Sequence, residues 1–71
     1  MSEFLLAFDI ELKDDVLKAV RAVKGVAVTS IPQADGTVTL RLKTRTLDEE
    51  TTLIRTVEEI HGVLDLRLLQ K

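Results

Sequence analysis

Apolar and polar residues alternate over residues 3–11, with Phe4, Leu6, Phe8 and Ile10 on one side and Leu5, Ala7, Asp9 and Glu11 on the other. A period of two with one partly polar side predicts a half-buried strand. From residue 13 the spacing becomes helical: Val16, Val20 and Val23 form one stripe, with Leu17 and Ala19 beside it. The helix predicted over residues 13–24 opens with Asp14 and Asp15, whose carboxylates suit the positive end of its dipole. It is expected to close on Gly25, as glycine enters the left-handed conformation freely. The uncharged run Val26-Ala27-Val28-Thr29-Ser30-Ile31 then predicts a second strand, stopped by Pro32.

Asp35-Gly36 is a strong reversal signal, so the second and third strands form a hairpin. Residues 37–45 alternate again, Val38, Leu40 and Leu42 inward and Thr37, Thr39, Arg41 and Lys43 outward. Thr46-Leu47-Asp48-Glu49 fits a capping box, a threonine at the N-cap and a glutamate three residues on. The second helix is expected to reach about His61, with Leu53, Ile54, Val57 and Ile60 facing the core. Gly62 ends it, and residues 63–69 form the last strand with Leu66 and Leu68 inward.

The second half repeats the first at an offset of 37 residues: Val16-Leu17, Val20, Val23, Gly25 and Val26 recur as Leu53-Ile54, Val57, Ile60, Gly62 and Val63. Two strand–helix–strand units make an α+β fold, ferredoxin-like βαββαβ, with a four-stranded antiparallel sheet in the order 4-1-3-2 and two helices on one face. Strands one and three are expected at the centre as parallel neighbours. Seventy-one residues hold a single domain, here residues 1–71, with a core that is only just sufficient.

Composition narrows the function. Twelve acidic and ten basic residues alternate along the chain for a net charge of −2, unlike the clustered positive charge of nucleic-acid domains. Phe4 and Phe8 are the only aromatics, which leaves the sheet face without the rings on which RNA bases stack. There is no cysteine, so disulfides, thiolate catalysis and Fe–S ligation are excluded. His61 is the only histidine, expected to cap helix-terminal carbonyls. The acidic pairs Asp14-Asp15, Glu49-Glu50 and Glu58-Glu59 sit where a helix is solvated, not in a cleft that would split their pKa values. Gly25, Gly36 and Gly62 are isolated and match no phosphate loop. We therefore expect a non-enzyme without cofactor or metal, with no nucleic-acid partner and no membrane insertion. No basic leader, spanning apolar segment or cleavage signal is evident, so a cytoplasmic location is expected, although a domain excised from a longer protein would leave the same trace.

What remains is a surface. The sheet face opposite the helices carries Leu5, Ala7 and Asp9, then Thr37, Thr39, Arg41 and Lys43, then Asp65, Arg67 and Leu69. Its aliphatic middle could receive the apolar side of an amphipathic helix, with Asp9, Glu11 or Asp65 meeting basic residues. The same alternation also suits an antiparallel sheet with one wet face. The uncharged edge strand over residues 26–31 is a second candidate surface, for a peptide or for a second copy as a homodimer.

The helix ending in Gly25-Val26, the Asp35-Gly36 hairpin, the capped second helix with Thr51-Thr52-Leu53-Ile54-Arg55-Thr56-Val57, and the closing Gly62-Val63-Leu64 with Leu68 resemble the NapD-type chaperones over nearly the whole chain. The resemblance implies a small cytoplasmic protein that binds the twin-arginine signal peptide of a periplasmic nitrate reductase catalytic subunit, a molybdoenzyme, while its cofactors are installed. On that reading Leu5, Ala7, Asp9, Glu11, Thr39, Arg41, Asp65 and Arg67 would form the peptide-binding face and edge. The alternative is an ACT-like regulatory domain that binds a small ligand as a homodimer.

Overall fold

The computed structural model describes residues 2–70; Met1 and Lys71, the limits of the expected domain, lie outside them. The chain runs through β1 (Ser2–Phe8), a 3-10 turn (Ile10–Leu12), α1 (Lys13–Ala22), β2 (Val26–Val28), β3 (Thr37–Leu42), α2 (Leu47–Glu58) and β4 (Val63–Gln70). It is an α+β protein whose four strands form one sheet in the order β2-β3-β1-β4. β1 pairs with β3, and every other pair of neighbours likewise, in antiparallel register. The expected parallel alignment of strands one and three is therefore corrected. The crossover through α1 leaves β1 parallel to β2, and the hairpin then reverses β3 against both.

Alternation in β1 and β3 decides which sheet face is buried. Phe4, Leu6 and Phe8 with Val38, Leu40 and Leu42 are buried, and the intervening residues are half-buried. Val16, Leu17 and Val20 of α1 and Val57 of α2 join Leu6, Phe8, Val38 and Leu40 in one cluster, so both helices pack on the same face. Each such side chain contributes roughly 1.5–3 kcal/mol by leaving water. Leu53, Ile54 and Ile60, expected to face the core from α2, are half-buried.

The internal repeat survives as two equivalent turns. The Val26 N–H donates to the Val23 carbonyl (3.3 Å), and the Val63 N–H donates to the Ile60 carbonyl (3.1 Å). Gly25 (φ 92°) and Gly62 (φ 98°) take the third position of these turns, where a type II turn requires positive φ. At Gly62 a β-carbon would also stand 2.6 Å from Val16 Cγ2.

Element ends differ from the sequence expectation for local reasons. α1 stops at Ala22 because Val23 is already extended (φ −79°, ψ 121°), so Gly25 serves the turn and not the helix cap. α2 stops at Glu58, which leaves His61 exposed in the following turn, past the carbonyls it was expected to cap. β2 covers three residues because the Ser30 hydroxyl, not a backbone carbonyl, accepts from the Thr39 N–H (3.0 Å). β3 ends at Leu42, although the Lys43 N–H still donates to the Gly25 carbonyl (2.8 Å) in step with the β2–β3 register. At the start of α2, Thr46 Oγ1 accepts from the Glu49 N–H (3.1 Å), while Glu49 Oε2 reaches back to the Arg45 N–H (2.8 Å). The capping box is thus closed one residue upstream of its usual partner.

Candidate functional site

The open sheet face is a grid fixed by the pairing registers. Arg41 lies between Ala27 and Glu3, and Glu3 lies opposite Gln70. In the next row Leu5 sits between Thr39 and Arg67, and beyond it Ala7 sits between Thr37 and Asp65. Leu5 and Ala7 are half-buried at the centre of this face, and Asp65 and Arg67 are exposed on its β4 margin. Six of the eight residues singled out from sequence, Leu5, Ala7, Thr39, Arg41, Asp65 and Arg67, are brought together here.

Asp9 and Glu11 are not. The strand ends at Phe8 because Asp9 Oδ1 accepts from the Glu11 N–H (3.0 Å), starting the 3-10 turn, while the Asp9 N–H donates to the Gly62 carbonyl (2.8 Å). An aspartate side chain bonded to the backbone two residues on competes with strand pairing. The same turn lifts Ile10 out of the expected inward row and leaves it 58% exposed. Asp9 and Glu11 thus lie past the Ala7 end of the face.

Polar groups on the face are largely engaged with one another. Arg41 Nη2 pairs with Glu3 Oε1 at 3.3 Å. Thr29 and Thr39 bring their hydroxyls within 2.9 Å, and Thr37 Oγ1 donates to Asp35 Oδ1 (2.6 Å). The Ala7–Thr37 end is therefore edged by the carboxylates of Asp35 and Asp65. Lys43 lies beyond β3. Leu69 falls at a register shift between the Phe4–Leu68 and Glu3–Gln70 pairs.

The two sheet edges differ. β2, the edge expected to bind, presents only three strand residues before Ser30 and Pro32 end it. β4, the longer edge, carries Leu64 (70% exposed), Leu68 (46%) and Leu69 (50%). Leu68, expected inward, lies opposite Phe4 but on the outer strand of the sheet, and it is exposed. The signal for this edge was in the sequence: strand order 4-1-3-2 makes the last strand an edge, and Leu64, Leu66, Leu68 and Leu69 crowd it.

A cleft of about 510 Å³ lies at the far end of the molecule, between Gly25 and Lys43 on one side and Asp48, Thr52 and Leu53 of α2 on the other. Among the described residues no three carboxylates or imidazoles come together to hold a metal ion, and no helix is long and apolar enough to cross a membrane. No protein-family model matches the chain, and no curated protein or solved structure matches it.

Proposed function

We propose that this protein is a ferredoxin-like peptide-binding chaperone of the cytoplasm, whose open sheet face holds a basic amphipathic helix. The observation that carries this reading is the grid itself: Leu5 and Ala7 form a small apolar strip between threonines on β3 and charges on β4, with both helices packed on the other side. The apolar side of a guest helix fits over Leu5 and Ala7, and its basic residues meet Asp35 and Asp65 at the Ala7 end. The NapD-like pattern of the chain makes the twin-arginine signal peptide of a molybdoenzyme the specific guest, since guanidinium groups make bidentate bonds to carboxylates that lysines cannot copy.

The test is calorimetric titration with a synthetic twin-arginine signal peptide and its twin-lysine counterpart. Micromolar binding, about −8 kcal/mol, is expected for the arginine form and weaker binding for the lysine form. Leu5→Arg or Ala7→Arg, which place a charge in the strip without entering the core, should abolish it. Undiminished binding by both variants, or no heat at millimolar peptide, would contradict the proposal.

The cleft beside Leu53 favours a second reading, an ACT-like module that takes a small metabolite there. Its check is thermal shift against a panel of amino acids, with Thr52→Trp as the blocked control.

A further inference from the structure

β4 is an outer strand whose outward-facing backbone groups can be assigned. The Phe8 N–H donates to the Gly36 carbonyl on the β3 side, and the Asp9 N–H donates to the Gly62 carbonyl on the β4 side. Even-numbered residues of β1 thus turn their backbone toward β3 and odd-numbered ones toward β4. Leu5 and Ala7 then exchange bonds with Arg67 and Asp65, while Leu66 and Leu68, opposite Leu6 and Phe4, turn theirs away from the sheet. The Leu66 N–H is met by the neighbouring Asp65 Oδ1 at 2.9 Å, a side chain standing in for a missing strand.

We propose that the missing strand is β4 of a second copy of this chain, added antiparallel about a two-fold axis at Leu66. In that register Leu66 faces Leu66 of the second copy and Leu64 faces its Leu68. Asp65 faces Arg67 of the second copy, and Arg67 faces its Asp65. The two leucine residues exchange both backbone bonds, and the charged residues form the non-bonded pairs, in which opposing side chains approach most closely. Asp65 gives up the Leu66 amide to the second copy's carbonyl and turns to the opposing guanidinium.

Charge selects this register. Sliding the second strand by two residues sets Asp65 against Asp65 in one direction and Arg67 against Arg67 in the other, and like charges directly opposite are destabilising. Residues 65–68 run regularly between the two register shifts of β4, one of which falls at Leu64, so the Leu66–Leu66 and Asp65–Arg67 pairs set the register and Leu64 meets Leu68 at its margin. The exposed Leu64 and Leu68 become contacts, and one eight-stranded sheet replaces two four-stranded ones. β2 offers no equivalent edge. In the dimer Asp65 is engaged by Arg67 of the second copy, which leaves Asp35 at the Ala7 end to meet the basic residues of a guest on the open face.

The test is sedimentation velocity of the full chain from micromolar to millimolar concentration, with Asp65→Arg, Arg67→Asp and the double reversal D65R/R67D. Both single changes are at exposed sites, and circular dichroism verifies folding. The wild type should dimerise with rising concentration. Each single reversal turns two opposite-charge contacts into like-charge ones and should weaken dimerisation about tenfold, and the double reversal should restore it. Amide exchange at Leu66 and Leu68 should slow in the dimer. A monomer at millimolar concentration overturns the proposal, as does a dimer indifferent to the single reversals or one that the double reversal does not rescue.

Discussion

Glu3 and Arg41 stand opposite one another on β1 and β3 and close an ion pair of 3.3 Å, with side chains 36% and 43% exposed. A pair this open contributes at most about 1 kcal/mol. It also means that Arg41, read from the sequence as a peptide contact, is already matched within the face. Arg41→Ala should lower stability in urea unfolding by no more than about 1 kcal/mol. It should tighten the binding of a basic peptide, because the Glu3 carboxylate is released. Weaker binding by this variant would mean that Arg41 contacts the guest itself.

Gly62 and Gly25 occupy equivalent turns but different surroundings. A β-carbon at Gly62 meets Val16 Cγ2 at 2.6 Å and Leu12 behind it, whereas at Gly25 the nearest atom is Leu53 Cδ1 at 3.0 Å, on a half-buried side chain able to move. Both variants carry the strain of positive φ, about 1–3 kcal/mol. Gly62→Ala should be the more costly of the two in thermal or urea unfolding. Equal costs would show that backbone strain alone, without the close packing of α1, sets the requirement.

Much of this architecture was legible because local signals agreed with one another. Val16, Leu17 and Val20, the alternation through Phe4 to Phe8 and Val38 to Leu42 and the Asp35-Gly36 reversal all stand where the pattern put them, and both Gly-Val pairs open a strand, though from a turn and not from the helix end. Where pattern and structure differ, side chains compete for the backbone. Asp9 continues the alternation of β1 yet uses its carboxylate to begin a turn, and Ser30 continues the β2 run yet replaces a strand carbonyl with its hydroxyl. Pattern counts polarity and not hydrogen-bond partners, so the alternation overruns the end of both strands. The central grid of the site was legible for the same reason the sheet was. Asp9 and Glu11 leave the site with the end of β1, and alternation alone gives the β4 leucines a face without registering that the strand is an edge.

Ile10 and Val20 separate the observed register from the sequence expectation. Val20 is fully buried and Ile10 is 58% exposed. Val20→Asp places an unpaired charge in the core and should unfold the protein at 25 °C by circular dichroism. Ile10→Asp should change stability by only about half a kcal/mol. A large loss at Ile10 would restore it to the inward row of β1.

Thr46 caps α2 by accepting from the Glu49 N–H at 3.1 Å. Thr46→Ala should cost about 1 kcal/mol. Glu49→Ala should add a smaller loss that is not additive with it, since both side chains secure the same first turn. A double-mutant cycle in urea reads the coupling directly, and strict additivity would show that the Thr46 and Glu49 contacts secure the helix start independently of one another.

If the open face is where a basic helix docks, its footprint can be read residue by residue. An amide chemical-shift map recorded during addition of a twin-arginine signal peptide should show perturbations at Leu5, Ala7, Thr37, Thr39, Asp65 and Arg67, with Val16, Val20 and Val57 unmoved. Perturbations confined to the helices or to the cleft around Gly25 and Leu53, or none at millimolar peptide, would contradict it.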